Sequence, residues 1–392
     1  MTRVPQCLRR FSTRVRRGDT VTLAMSGGVD SSVAAALLAR EDVDLRAVYM
    51  RNWSSLDESG AMQPGSGGAM GCAWQEEWND VQNVCKHLGN IPVELVDLSR
   101  EYWHDVFAPA LAQWSDGATP NPDVACNRSI KFGTLMERMR IGPNAWLATG
   151  HYARIAWRAD AEMHSSAYIR RALDASKDQS YYLSSVPSER VAQSIFPLGD
   201  LTKAHVRNMA RAFALPTAER RESMGLCFVG ERGKSTHGFA RFLGGYVEGT
   251  AGPLLDEHGD YIGKHDGLHT FTIGQRARVS GCKERYFVAR KHLDTNAITV
   301  VPRATHPMLQ CSALETEPFV WAASAPSLPC ALQAQVRYRQ AAETCKVYAA
   351  GHGVRVEFAT PVLAVAPGQV VALYDGDLCL GSGVIGRVDT LA

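Results

Sequence analysis

The chain of 392 residues is long enough for two or three domains, and its 45% hydrophobic and 21% charged content is that of an ordinary soluble globular protein. No apolar run approaches the ~20 residues of a membrane helix, so membrane insertion is not expected. Ten cysteines with neither CxxC spacing nor an even framework argue against a disulfide scaffold and a structural zinc site.

The first 18 residues stand apart. Arg3, Arg9, Arg10, Arg14, Arg16 and Arg17 occur among Ser and Thr with no acidic residue before Asp19. This is the makeup of a mitochondrial transit peptide, and Arg10-Phe11-Ser12 resembles a cleavage context; a basic arm that binds nucleic acid is the alternative. Without those six arginines the formal charge falls from +2 to −4, so a nucleic-acid partner would need a local basic patch.

From Asp19 onward strands and helices alternate. Thr20–Met25 reads as a strand and Asp30–Arg40 as a helix, with Ser26-Gly27-Gly28-Val29-Asp30-Ser31-Ser32 at the junction. Leu45–Met50 reads as a strand, Ser54–Gly71 as a Gly/Ser/Met-rich loop, and Trp74–Leu88 as a helix with Trp74, Trp78, Val81, Val84, Cys85 and Leu88 on one side. Pro92–Asp97 is a strand, Arg100–Trp114 a helix, Thr119-Pro120-Asn121-Pro122-Asp123 a loop, Asn127–Arg140 a helix and Ala145–Thr149 a strand. Such alternation predicts a parallel sheet whose ligands gather beyond the carboxyl ends of the strands, where Ser26, Met50 and Gly150 fall. Leu201–Phe213 reads as a last helix. Residues 216–300 are Gly-rich with short strands at Tyr286–Ala289 and Ala297–Val301. Beyond residue 312 the pattern is all-β: Val354, Val356 and Phe358 alternate with Arg355 and Glu357, and Asp375-Gly376-Asp377 is a hairpin signal, which fits a barrel of about 80 residues.

Five segments are candidates for chemistry. In the Ser26–Ser32 segment, glycines let backbone N–H groups approach an anion, the helix dipole favours negative charge, and Ser26, Ser31 and Ser32 add hydroxyl donors. No Gly-Lys-Ser/Thr follows, so it is not a Walker A loop; a capped strand-to-helix turn is the bland alternative. Cys126, in Asp123-Val124-Ala125-Cys126-Asn127-Arg128, opens a helix whose dipole can favour thiolate, with Asp123 one turn away as a base or orienter; a buried helix cysteine is the alternative. Cys227, in Gly225-Leu226-Cys227-Phe228-Val229-Gly230, lies between glycines that leave its thiol reachable, or else it is a small residue in a tight strand. Lys177-Asp178-Gln179-Ser180-Tyr181-Tyr182, at an expected helix start, and Arg337-Tyr338-Arg339-Gln340 combine cations with aromatics, as phosphate contact and base stacking require. Gly230–Ser235 ends like a Walker A motif, and Gly381–Gly386 fits GxGxxG; each lacks its context and reads as a turn.

The loop Ala24–Ser31 resembles the PP-loop of ATP pyrophosphatases. With TPNPDVACNRSIKFG (119–133), ATGHYAR (148–154), SKDQSYYLS (176–184), LCFVGER (226–232), HTFTIGQR (269–276) and VRYRQ (336–340), the chain from about Val21 to Arg387 resembles the tRNA-specific 2-thiouridylases of the MnmA type, in their mitochondrial form. Ser223-Met224-Gly225-Leu226-Cys227 departs from the Ser-Thr-Gly-Ile-Cys usual in bacterial members but keeps the cysteine.

The resemblance implies an α/β PP-loop (adenine nucleotide alpha hydrolase-like) domain with a parallel sheet, a small central domain and a C-terminal β-barrel. The expected boundaries are 1–18 for the transit peptide, 19–215 for the PP-loop domain, 216–305 for the central tRNA-binding domain and 306–392 for the barrel. It implies ATP-dependent 2-thiolation of the wobble uridine of mitochondrial lysine, glutamate and glutamine tRNAs through an adenylated intermediate, with Mg²⁺ and with persulfide sulfur from a donor protein. Ala24, Met25, Ser26, Gly27, Gly28, Val29, Asp30 and Ser31 would bind the ATP phosphates, Met50 would line the adenine pocket, and Gly150 would contact the nucleotide. Asn121, Pro122 and Asp123 would border the target base, with Asp123 as acid or base, Cys126 as the nucleophile partner and Cys227 as the persulfide carrier. His151, Lys177, Asp178, Gln179, Arg337, Tyr338 and Gln369 match positions that touch the tRNA anticodon stem-loop. No residue is assigned as a direct metal ligand. A PP-loop amide ligase and a non-catalytic tRNA-binding protein are the rival readings; the first needs no cysteine pair, the second no phosphate loop.

Overall fold

The computed structural model describes residues 14–53, 74–159, 165–220, 236–279 and 284–392. Cys227, the Walker-like Gly230–Ser235 stretch, the Ser54–Gly71 loop and most of the basic leader lie outside the described residues. The chain divides into two compact units, residues 1–105, 125–234 and 377–379 in one, and 106–124, 235–376 and 380–392 in the other.

The first unit is built on a parallel sheet. Its strands are β1 (Thr20–Met25), β2 (Asp44–Arg51), β3 (Val93–Asp97), β4 (Ala145–Thr149) and a two-residue edge strand at Ser194–Ile195, in the order β3-β2-β1-β4-edge. The chain leaves β1 for β2 on one side and returns to β4 on the other. A crevice therefore opens at the carboxyl end of β1, the switch point where open α/β sheets bind ligands. Register aligns Met25 with Tyr49 and Ala24 with Thr149, so the segments after β1, β2 and β4 emerge at one edge.

Helix α1 (Val29–Leu38) has apolar residues on all sides and is buried on all sides, Asp30 excepted. Helix α2 (Trp74–His87) buries Val81, Val84 and Cys85, part of the expected stripe. Together with Val21, Leu23 and Ala47 these residues form the core of the unit. The expected helix Arg100–Trp114 is present as Ser99–Ser115 with a π-helical stretch at Trp103–Phe107. The expected helix Asn127–Arg140 begins earlier, as an α-turn at Pro122–Ala125, a π-helix at Cys126–Thr134 and an α-turn at Leu135–Arg138. An antiparallel hairpin, Arg154–Ala159 with Ser165–Arg170, was not evident in the sequence pattern.

The second unit carries two β-structures. One is a five-stranded sheet of Gly252–Leu255, Tyr261–His265, Arg276–Ala277, Tyr286–His292 and Ala297–Val301, packed around Leu254, Val288, Ile298 and Val300. The other is a barrel of Gln310–Trp321, Cys330–Gln335, Glu343–Ala350, Gly353–Leu363, Val370–Asp375 and Leu378–Thr390. It closes because Gln310–Trp321 pairs with both Gly353–Leu363 and Leu378–Thr390, which leaves no open edge. Val354 and Val356 are buried and Arg355 and Glu357 half-buried, as the alternation predicts. Gly376 turns the expected hairpin with φ +61. Gly381–Gly386, expected as a turn, is instead inside the last barrel strand, where Gly381 and Gly383 lie against Phe319.

Candidate active site

In the first unit the chain turns from β1 into α1 through Ser26–Gly28. Gly27 has φ +71, and a Cβ there would lie 2.7 Å from the carbonyl oxygen of Glu77. Both its left-handed backbone and its surroundings therefore demand glycine. Gly28 is the N-cap and offers no side chain to α1, so the positive end of the helix carries no side-chain cap. Hydroxyls surround it. Ser31 Oγ accepts from the Ser26 amide at 3.3 Å and donates to Gly28 O at 3.1 Å, Ser32 Oγ donates to Gly28 O at 2.9 Å, and Thr217 Oγ1 donates to Ser32 Oγ at 2.8 Å.

Asp30 would repel an incoming phosphate, but it is neutralised. Lys203 Nζ lies 2.8 Å from both of its carboxylate oxygens, and Tyr152 Oη donates to Oδ1 at 2.8 Å. The Lys203 side chain is 13% exposed and that of Asp30 33%, so the ammonium is largely withdrawn from water while the carboxylate keeps some solvent. Gln179 accepts from the Tyr152 amide and donates its own amide to Tyr152 O, both at 2.9 Å, and so steadies the tyrosine that holds Asp30. Gly150 approaches from β4 so closely that a Cβ would lie 2.9 Å from the Ser31 nitrogen. Met50 is half-buried at the end of β2, Ala24 is half-buried, and Met25 and Val29 are buried.

This arrangement fits a polyphosphate: an uncapped helix N-terminus, clustered hydroxyls and a neutralised carboxylate. Among the described residues no group of three His, Cys, Asp or Glu side chains could hold a metal ion.

Cys126 belongs to the same unit. Asn52, just beyond β2, directs its Nδ2 at Cys126 Sγ, 3.8 Å away, and both residues are buried. An N–H aimed at sulfur favours the thiolate. The sequence placed Cys126 at a helix start; the helix begins at Pro122, so Cys126 stands one turn inside, at the first residue of the π-helix. Burial pushes the thiols of Cys85 to about 11 and of Cys311 and Cys345 to about 12, which makes them inert.

Next to Cys126, Asn127 donates to Tyr182 O at 3.2 Å and accepts from Lys131 Nζ at 3.1 Å. Lys131 also lies 3.4 Å from His151 Nε2, and His151 Nδ1 lies 2.7 Å from Thr149 Oγ1. An ammonium at Nε2 assigns the ring proton to Nδ1. Burial first, and the Lys131 charge second, hold the His151 pKa well below the ordinary 6.5, so this candidate RNA contact is a neutral imidazole. Lys177 is half-buried, in turns rather than the expected helix start. The Asp178 carboxylate accepts from the Ala172 amide, Arg171 and Ser180, so it organises that turn from within.

The second unit holds Asn121, Pro122 and Asp123. Asn121 Oδ1 accepts from the Val124 amide at 3.4 Å as a cap, Pro122 takes the first helical position, and Asp123 brings its charge to the first turn. Gln369 Nε2 donates to Thr119 O at 2.8 Å and Pro120 O at 3.2 Å. Arg337 Nη2 donates to Ile273 O at 2.8 Å, and the guanidinium of Arg339 lies 5.4 Å from the Tyr338 ring centre. Asn52, Lys203 and Thr217 escaped the sequence reading because nothing local marks them, and Lys131 and Tyr152, though inside the motifs 119–133 and 148–154, are not singled out there; Lys203 meets Asp30 across 173 positions.

Comparison with known proteins agrees with this geometry. Residues 19–231 match the family described as tRNA methyl transferase HUP domain, 240–302 its PRC-barrel domain and 311–385 the aminomethyltransferase beta-barrel domain. The chain is 39% identical over 373 residues to the tRNA-specific 2-thiouridylase MnmA of Chromohalobacter salexigens, covering 93% of this chain and 92% of that one. It is 38% identical over 377 residues to the enzyme of that name from Cupriavidus metallidurans, with 94% and 99% covered, and 39% over 373 residues to that of Pseudomonas fluorescens, with 93% and 94% covered. The chain belongs to the MnmA family of tRNA-specific 2-thiouridylases.

Proposed function

We propose that this chain is a tRNA-uridine 2-sulfurtransferase that replaces O2 of the wobble uridine of lysine, glutamate and glutamine tRNAs with sulfur at the expense of ATP. The observation that carries the reading is the phosphate cradle and the Cys126 thiol at the carboxyl edge of one parallel sheet, the thiol under the amide of Asn52. An amide ligase has no need of that thiol, and a passive RNA binder has no need of the cradle.

A carbonyl oxygen is a poor leaving group. Attack of uridine O2 on the α-phosphate of ATP expels pyrophosphate and turns that oxygen into part of an AMP leaving group. The α1 N-terminus with Ser26, Ser31 and Ser32 stabilises the charge that gathers on the pyrophosphate, and a Mg²⁺ ion on the phosphates would neutralise more of it. Asp123 exchanges protons with the base.

Sulfur arrives as a persulfide on Cys227. By one route its terminal sulfur attacks C2, AMP departs with the old oxygen, and the Cys126 thiolate then attacks Cys227 Sγ to release the thiocarbonyl. By the other, Cys126 attacks Cys227 first and expels hydrosulfide, which attacks C2. Both leave a Cys126–Cys227 disulfide that a dithiol reductant reopens. The base must leave the anticodon stack to be reached. The arginine-rich, acid-free leader supports a mitochondrial location.

The test is one turnover of purified full chain with unmodified tRNA, ATP, Mg²⁺ and a persulfide donor, reading AMP, 2-thiouridine and the disulfide map by mass spectrometry. Cys227→Ser should form no persulfide and transfer no sulfur while tRNA-dependent AMP formation persists. Cys126→Ser should load sulfur on Cys227 without completing transfer. AMP-coupled product formation indifferent to Cys227→Ser would favour the ligase, and thiolated tRNA with both thiols free would overturn the paired-cysteine route.

A further inference from the structure

The loop 116–121, which delivers Asn121, Pro122 and Asp123, has little packing beneath it. A cavity of about 240 Å³ lies there, lined by Asp116, Gly117, Thr119, Lys291, Leu293 and Cys311 among others. The loop is held by its backbone instead. Lys291 Nζ, from the sheet strand Tyr286–His292, donates to Gly117 O at 2.8 Å. Gln369, at the mouth of the barrel, gives its amide group to Thr119 O and Pro120 O, and the Thr119 amide donates to Pro367 O at 2.9 Å. Thr119 Oγ1 adds a weak contact of 3.5 Å to Thr272 Oγ1. Three residues of the loop, Gly117, Thr119 and Pro120, thus have carbonyls or an amide fixed by groups from elsewhere in the unit.

Lys291 is an expensive choice for a scaffold. Burial pulls its pKa down to about 8. The imidazoles of His265 and His269 have pKa values lowered first by burial and then by the charge of Lys291. A methionine would fill the same space without the desolvation penalty, so stability alone does not account for an amine at this position.

We propose that Lys291 and Gln369 are positioning residues for the thiolation reaction: by gripping the carbonyls of Gly117, Thr119 and Pro120 they fix the loop that presents Asn121, Pro122 and Asp123 to the target base. The proposal rests on the sulfurtransferase reading for its catalytic consequence and gives Gln369 a task distinct from touching tRNA. Its amide N–H group, the part that would donate to a phosphate or base, is engaged by the loop.

The test uses full chain carrying Lys291→Met, Gln369→Met or Gln369→Glu, the last placing an acceptor against two carbonyl oxygens at constant shape. Hydrogen exchange of the 113–121 amides should rise on the order of ten-fold in each variant, with β4 amides unchanged. At saturating tRNA the single-turnover thiolation rate should fall about ten-fold or more, while tRNA Kd and ATP Kd stay within about two-fold. The Tm of Lys291→Met should stay level or rise, a result that separates positioning from scaffolding. Unchanged exchange in all three variants overturns the proposal. So does a weakened tRNA Kd with an unchanged saturated rate in Gln369→Met, which would return Gln369 to the RNA interface. If wild type does not thiolate, the sulfurtransferase reading falls while the exchange measurement still decides the clamp.

Discussion

In the phosphate loop, Ser31 and Ser32 hold Gly28 from three and four residues away. In the base-bordering loop, Lys291 and Gln369 reach Gly117 and Thr119 across 174 and 250 positions. The backbone of the first turn is closed by its own hydroxyls, with Thr217, Tyr152 and Lys203 meeting only its side chains; the second takes its shape from strands that fold elsewhere. A phosphate site recurs in many chemistries and profits from being self-contained. On the proposed reading the second loop handles a base and serves one reaction, and its ties run to the central sheet and the barrel. The two loops should therefore respond to mutation differently, the first to changes within itself and the second to changes far away.

The largest effect is expected at Asp30, where the self-contained loop depends on a partner from outside. Asp30→Ala leaves Lys203, 13% exposed, facing the cradle without its counter-charge. Stability should fall by about 2 kcal/mol, since one side of the pair retains some solvent, and tRNA-dependent AMP formation by ~100-fold or more. The double variant Asp30→Ala/Lys203→Met should recover most of the stability and none of the AMP formation. Full recovery of both would make the pair a scaffold with no part in nucleotide binding.

Gly27→Ala comes next. Holding alanine at φ +71 costs about 1–2 kcal/mol, and the 2.7 Å approach to Glu77 O adds to it because backbone cannot swing aside. The variant should fold, bind ATP at least about ten-fold more weakly and keep its tRNA affinity. An unaffected ATP Kd would show that the turn can relax and that the loop is less rigid than its contacts imply.

How much of this was legible follows the same division. The strand, the glycine turn, α1 and the alternation of Val354 and Val356 could be read because each pattern is local, with periods of two or 3.6 residues. The parallel sheet followed from alternation, and the sites at its carboxyl edge followed from the sheet. Gly381–Gly386 misread as a turn because glycines in a closing barrel strand, where Phe319 leaves no room for side chains, look like turn glycines in one dimension. The Pro122 start was missed because two prolines suggested loop, whereas the second occupies the one helical position that suits proline. Lys203, Asn52 and Gln369 act over long separations through one or two hydrogen bonds each, and no periodicity announces such bonds.

The neutral imidazole of His151 gives a pH test on the phosphate-loop side. Its folded pKa is depressed well below 6.5, first by burial and then by Lys131. Between that value and 6.5 the unfolded chain binds more protons, so the contribution is whole above pH 6.5 and is lost as pH falls through the folded pKa. Acidification should lower the Tm of wild type more than that of His151→Gln below pH 6.5, with the two running parallel above it. Parallel curves throughout would mean that the ring is protonated without penalty in the folded protein.

The smallest effect is expected at Asn121, and it bears most directly on how the second loop is held. Asn121 caps the four-residue first α-turn of the helix that continues to Arg138, through a bond of 3.4 Å, at the weak end of the range. A good cap contributes about 1 kcal/mol; here the helix start is also fixed by the proline ring of Pro122 and by the grip of Gln369 on the two residues before it. Asn121→Ala should therefore lower stability by about 0.5 kcal/mol or less and leave the 113–120 amides protected. Ser31→Ala, the matching local change in the phosphate loop, removes bonds to both Ser26 and Gly28 and should cost more, about 1 kcal/mol. Should Asn121→Ala release the loop as fully as Gln369→Met does, the local cap would be the true anchor, and the contrast between a self-built loop and an externally held one would fail at its most specific point.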